Sequence, residues 1–254
     1  MNKSLYSPKS LVFSILILLL ISSCGSRENV VYFQSAKEFE TEVNTNTFTP
    51  RFKVDDVVAI NVSALDLETT RPFNLLAGTG DNAVSLDYLI DKDGFIEFPV
   101  LGKVKLLGLT PTEAKDMLRE KLSEYIKNPI INLRLNNFQV TVLGEVNRPG
   151  TYPVTGERIT LLEAIGLAGD LTIQGERKNV LIIRDFNGVK TYSRVDLTTK
   201  EFVNSPVYYL TQNDVVYVEP NKGRVRSSGL DSIDTLTISI GSSLVLLLVS
   251  ILIR

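Results

Sequence analysis

The sequence predicts an α+β chain: two small α+β domains in succession, followed by a C-terminal transmembrane helix. Three observations predict this. Short apolar-alternating runs bounded by turn pairs recur from Phe52 to Glu219, the pattern of half-buried strands. Two helix-start signals interrupt them, Thr110-Pro111-Thr112-Glu113 and Thr160-Leu161-Leu162-Glu163. Last, an uncharged run from Thr235 to Ile253 stands between Asp234 and Arg254; at about 1.5 Å per residue it reaches roughly 28 Å, close to a hydrocarbon core of about 30 Å.

Taken in order, residues 1–23 read as a signal peptide. Lys3 and Lys9 precede an apolar run, Leu11 to Ile21, too short to span a bilayer, and small residues Ser22 and Ser23 follow. Cys24 comes directly after them. This stretch resembles a bacterial lipobox, in which Cys24 becomes the acylated first residue of the mature chain. Acyl chains contribute about 0.8 kcal/mol per buried CH₂, so a multiply acylated cysteine is a stable anchor. Residues 24–50 are polar apart from Val30 to Phe33 and read as a tether that is ordered only against the body of the protein.

The first domain is expected over residues 51–136. FKVDDVVAINVS, from Phe52 to Ser63, places a turn at Asp55-Asp56 before an alternating strand. Asp87 to Thr110 is the organising stretch, DYLIDKDGFIEFPVLGKVKLLGLT. Its Asp93-Gly94 pair between alternating apolar residues predicts a hairpin turn, with Tyr88, Ile90, Phe95, Ile96, Phe98 and Val100 on half-buried strands. Thr110 then opens a capping box with Glu113 and with Pro111 at a position needing no amide donor. The helix that follows places Ala114, Met117, Leu118, Leu122, Tyr125 and Ile126 on one face and is expected to end at Asn128-Pro129, before strand Ile130 to Leu135.

A second domain is expected over 137–220. Phe138 to Val146 alternates as a strand, Asn147 to Gly150 turns, and Thr151 to Val154 returns. Thr160 and Glu163 form a second capping box, and Gly169 suits the left-handed position after a helix. Strands from Val180 to Arg184 and Val189 to Leu197 flank an Asn187-Gly188 hairpin turn; Asn213-Asp214 turns into a final strand ending at Glu219. Residues 221–232 read as a linker and 233–254 as the transmembrane helix. The first half of that helix is rich in Thr, Ser and Gly, which suits helix association, whereas Leu244 to Ile253 is apolar nearly all round. A single-span anchor and a helix packed with copies of itself both fit the run.

Composition excludes several classes. The chain has no histidine, one cysteine and a net charge of −2. A Ser-His-Asp triad, a Cys-His dyad, a structural zinc site and an internal disulfide are ruled out by inventory, and the charge balance disfavours nucleic acid. Carboxylates remain as the acid–base inventory. The pairs Asp91 and Asp93, Asp55 and Asp56, or Glu145 and Glu157 are conceivable glycosidase pairs, but each of these residues except Glu157 stands at a turn or beside a strand glycine. No catalytic, cofactor-binding or metal-binding residue is assigned; the single assigned site is lipidation at Cys24.

Two segments resemble a known family. Tyr88 to Thr110, with its aromatic residue, D-x-D-G, F-P-x-L-G-x-V and G-L-T, is similar to the core of the bacterial polysaccharide export domain. V-x-G-E-V-x-x-P-G-x-Y and T-L-L-E-A-I-x-x-A-G in the second domain resemble the soluble-ligand-binding β-grasp (SLBB) domain that accompanies it. The resemblance, to bacterial polysaccharide export outer-membrane lipoproteins, implies a homo-oligomeric ring anchored at Cys24, with its body in the periplasm and its terminal helix spanning the outer membrane. Such a ring passes capsular polysaccharide or exopolysaccharide to the cell surface without bond chemistry. It also implies an inner-membrane polysaccharide co-polymerase, often a tyrosine autokinase, as partner. The alternative is a periplasmic glycan-binding or adaptor lipoprotein whose terminal helix is only an anchor.

Overall fold

In the computed structural model the described residues are 27–37, 49–78, 83–186, 188–228, 239 and 243. The expected signal peptide, Cys24, part of the tether, and all of the 233–254 span except Ser239 and Ser243 lie outside them. Among the described residues no helix is long and apolar enough to cross a membrane.

Two hydrophobic cores follow one another along the chain. The first is built around β1 (Val57–Ser63), in which Val58, Ile60 and Val62 alternate inward. After it come a helical turn α1 (Leu67–Thr70), a small hairpin of β2 (Leu76–Ala77) and β3 (Val84–Ser85), and β4 (Tyr88–Leu89). A second hairpin pairs β5 (Phe95–Phe98) with β6 (Gly102–Lys105); helix α2 (Pro111–Leu122) and strand β7 (Ile130–Leu135) close the unit. β1 lies between β4 and β7, antiparallel to both. Both hydrogen bonds of the Thr110–Glu113 capping box form, and Ala114, Leu118 and Leu122 of α2 are buried.

Three details of this unit differ from the sequence reading. Asp93-Gly94 turns the chain, but the runs on either side do not form a hairpin with each other: β4 pairs with β1 and β5 with β6. Asp91 organises the turn instead, its carboxylate accepting the amides of Asp93 (2.9 Å) and Phe95 (2.8 Å). Gly94 is required at φ +87°, where an added Cβ would stand 2.4 Å from Leu107 Cβ. Val100 is not half-buried in a strand. It is 57% exposed at the tip between β5 and β6, at φ +66°, with Leu101 N–H donating to the Pro99 carbonyl at 2.8 Å. That is a three-residue γ-turn on a β-branched residue, a strained conformation. Finally, α2 ends at Leu122, six residues before Asn128, where the Ser123 amide is shared between the carbonyls of Arg119 and Glu120. Ile126 still reaches the core from the following turn, while Tyr125 is exposed and packs on Phe73.

The second core is a five-stranded sheet with a helix on one face. Its strands are β8 (Gln139–Gly144), β9 (Gly150–Pro153), β11 (Gly175–Phe186), β12 (Val189–Val195) and β14 (Val215–Pro220), ordered β12-β11-β14-β8-β9. Two short strands, β10 (Ile159–Thr160) and β13 (Tyr209–Leu210), pair separately. Helix α3 (Leu161–Leu167) begins with the expected capping box, and Gly169 follows it at φ +76°. The first and last strands of the sheet by sequence, β8 and β14, pair in parallel at its centre; the other pairs are antiparallel. The strand expected through Val146 ends at Gly144, at φ +90°, where a Cβ would lie 2.0 Å from the Val218 carbonyl oxygen. A short helix, α4 (Lys222–Ser228), follows β14.

Part of the tether docks on this second core. The amides of Phe33 and Gln34 donate to the carbonyls of Leu197 (3.3 Å) and Thr198 (2.6 Å), and the Phe33 ring packs 5.2 Å from Phe202.

Candidate functional site

The most elaborate polar arrangement lies on the seam between the two cores, where the chain enters the first and crosses into the second. The expected Asp55-Asp56 turn forms there, with Asp55 at φ +67°. Asp56 is 2% exposed, and its carboxylate accepts the Lys53 amide at 2.8 Å. Burial pushes the Asp56 carboxyl up to about 6, partly offset by the Lys53 amide and the Lys53 charge.

Lys53 reaches from this turn into the second domain. Its ammonium donates to the Asp185 carbonyl (3.0 Å), Thr211 Oγ1 (3.0 Å) and the Gln212 carbonyl (3.5 Å). Desolvation lowers its pKa below the ordinary lysine value, with the Asp214 charge opposing. Thr211 Oγ1 in turn donates to Asp214, whose carboxylate is fully buried and held by Arg184 through Nε (3.1 Å) and Nη2 (2.8 Å). The sequence places Asp214 in a turn; the structure also makes it the buried anchor of this network. A buried carboxylate of this kind is tolerated because a bidentate guanidinium and further donors satisfy its oxygens.

The crossing strand is fixed from both sides. Asn137 Oδ1 accepts the Val57 amide (2.9 Å) and its Nδ2 donates to the Asp55 carbonyl (3.0 Å), while Gln212 grips Asn137 and Gln139 through both ends of its amide. Lys115 of α2 pairs with Glu157 across the same seam at 3.4 Å. A cavity of about 90 Å³ lies inside, bounded by Phe52, Leu133, Leu135 and Phe138. With Asn137, Gln212, Lys53 and Lys115 all bonding across the connection, the two units are clamped rather than linked by a loose hinge.

Of the residues in the conceivable acid–base pairs, Asp56, Asp91, Asp93, Glu145 and Glu157 each hold a structural partner. Asp91 caps its turn, and its carboxyl is held below the ordinary range chiefly by the Phe95 amide. Asp93 pairs with Lys92, and Glu157 with Lys115. Glu145 accepts Thr172 Oγ1 at 2.9 Å and pairs with Arg224 at 3.4 Å. Among the described residues no cluster of three His, Cys, Asp or Glu could hold a metal ion. Cys24, the assigned lipidation residue, lies outside the described residues. Sequence reasoning missed the Lys53, Thr211, Gln212, Asp214 and Arg184 network. Its one local signal is Thr211 standing three residues before Asp214.

Two α+β units joined across this seam make up the described body, and each matches known proteins. Residues 45–136 match the family described as polysaccharide biosynthesis/export protein, and residues 139–193 match the SLBB domain. Residues 45–193 thus resemble a polysaccharide export domain followed directly by an SLBB domain. It is 25% identical over 139 residues to the EPS I polysaccharide export outer membrane protein EpsA of Ralstonia solanacearum, covering 53% of this chain and 36% of that protein. It is 24% identical over 156 residues to the capsule polysaccharide export outer membrane protein CtrA of Neisseria meningitidis serogroup A, covering 60% of this chain and 39% of the relative. The chain thus spans well under half the length of these curated relatives.

Proposed function

We propose that this protein is a subunit of an outer-membrane export channel that passes capsular polysaccharide or exopolysaccharide from the periplasm to the cell surface, without making or breaking bonds. The observation that carries this reading is the export domain followed directly by an SLBB domain, in a chain whose relatives are named as polysaccharide export outer membrane proteins. Copies assemble as a ring, with the seam clamp keeping each wall segment stiff. Cys24 carries the lipid anchor, the body lies in the periplasm, and residues 233–254 span the outer membrane. The second domain is read as a β-grasp, supported by its central parallel pair of first and last strands and by helix α3 on one face. Driving force comes from synthesis or from an inner-membrane co-polymerase, of tyrosine-autokinase type, meeting the periplasmic end.

Deleting the chain tests this reading: surface polysaccharide disappears while the lipid-linked precursor is still made. Equal loss of both points to an assembly or regulatory role instead. One observation favours the adaptor alternative, in which the terminal helix only anchors: Leu244 to Ile253 is apolar nearly all round and would line a pore poorly. A cysteine at the last residue, Arg254→Cys, decides between them. Labelling by an impermeant maleimide in intact cells supports the channel; labelling only after the outer membrane is permeabilised supports the adaptor.

A further inference from the structure

The loop from Asp170 to Gly175 on the second domain is where both ends of the described body meet. From the N-terminal side, Tyr32 Oη donates to Asp170 Oδ1 at 2.5 Å, and the Arg177 guanidinium lies 5.7 Å from the Tyr32 ring. From the C-terminal side, the Asn221 amide donates to the Gln174 carbonyl at 2.7 Å and its Nδ2 to the Ile173 carbonyl at 3.4 Å. Glu145 joins the two, accepting Thr172 Oγ1 and pairing with Arg224 of α4.

This corner has the surface of something that meets a membrane. Ile173 is 67% and Val225 56% exposed, apolar side chains presented to solvent beside a run of cations. Lys222, Arg224 and Arg226 are all exposed, and among the described residues Lys222 and Arg226 make no ion pair. The nearby acids are engaged elsewhere: Glu219 with Arg194, Asp170 with Tyr32. Chain length confines the corner further. Cys24 lies eight residues before Tyr32 and Thr235 seven after Ser228, reaches of at most about 29 and 25 Å. Exposed apolar side chains next to Lys and Arg are what an interfacial surface uses, the former entering the headgroup boundary and the latter pairing with phosphate.

We propose that the corner formed by the Asp170–Gly175 loop and α4 docks on the membrane surface, with Ile173 and Val225 in the headgroup boundary and Lys222 and Arg226 on anionic phospholipid phosphate of the phosphatidylglycerol type. This deepens the export reading and rests on it for the identity of the membrane. It also orients the chain, with the second domain against the bilayer and the first domain away from it.

The chain has no tryptophan, so Ile173→Trp is a single reporter in the full-length protein. Mixed with vesicles containing phosphatidylglycerol and headgroup-level nitroxide lipid, its emission is quenched, and Lys222→Gln with Arg226→Gln reduces that quenching by about twofold or more. Leu65→Trp, on an exposed loop of the first domain, stays unquenched in the same vesicles. No quenching at position 173, or equal quenching at position 65, overturns the proposal. Quenching that is the same in neutral vesicles and in the double glutamine variant overturns the phosphate contact. A chain that fails to insert but is still quenched sustains the docking corner and removes the anchor reading; one that neither inserts nor is quenched removes both.

Discussion

Replacing Asp56 by asparagine tests the seam most directly. The side chain is 2% exposed, and its carboxyl is raised from 3.8 to about 6 because burial disfavours the ionised form. A raised carboxyl pKa means that the folded state holds the proton more tightly than the unfolded one. The associated stability is therefore fully present below about pH 4 and is lost as pH rises through about 6. The rise from 3.8 to about 6, at about 1.36 kcal/mol for each tenfold change in proton affinity, sets the loss at about 3 kcal/mol by pH 8. Asparagine keeps an oxygen to accept the Lys53 amide and carries no charge, so Asp56→Asn matches the native protein near pH 4 and exceeds its stability by up to about 3 kcal/mol at pH 8. Urea denaturation followed by circular dichroism at a series of pH values reads this out. Parallel stability curves for the two proteins between pH 4 and 8 would refute the claim that a buried, charge-penalised carboxylate sits at the seam.

Three further substitutions probe other parts of the fold. Arg184→Ala strands the fully buried Asp214 carboxylate and costs about 3 kcal/mol or more in denaturation experiments, whereas adding Asp214→Asn recovers part of that loss. Gly144→Ala forces a Cβ against the Val218 carbonyl at a positive φ; it lowers stability by about 3 kcal/mol or prevents folding, and a mild effect measured as a shift in Tm would show that the β8–β14 pair can open there. Val100→Gly releases a β-branched residue from φ +66° at an exposed tip. It raises stability by about 1 kcal/mol, seen as a higher urea midpoint, and a lower midpoint would mean that the γ-turn is not strained.

Much of the architecture is legible locally because the signals are local. Thr110 with Glu113 and Thr160 with Glu163 form both expected capping boxes, since each depends on residues three apart. The alternation of β1 fixes which side chains face the core for the same reason. The Asp93-Gly94 pair shows the limit: the turn needs only local geometry, but strand partners are chosen by which apolar faces meet, and β1 and β6 offered better ones. The end of α2 at Leu122 carries no local residue signal, whereas Asn128-Pro129 does, which is why the sequence points six residues too far.

The sequence by itself determined the order of the two α+β units and the capped helices. The tertiary structure alone decided that Lys53 would bridge to Thr211 and that Asp214 would be buried against Arg184. It alone brought the Tyr32 segment and α4 to one loop. These contacts join residues from 27 to 158 positions apart in the chain. No local pattern encodes such pairings, because they exist only once each core has closed and set the positions of side chains on its surface.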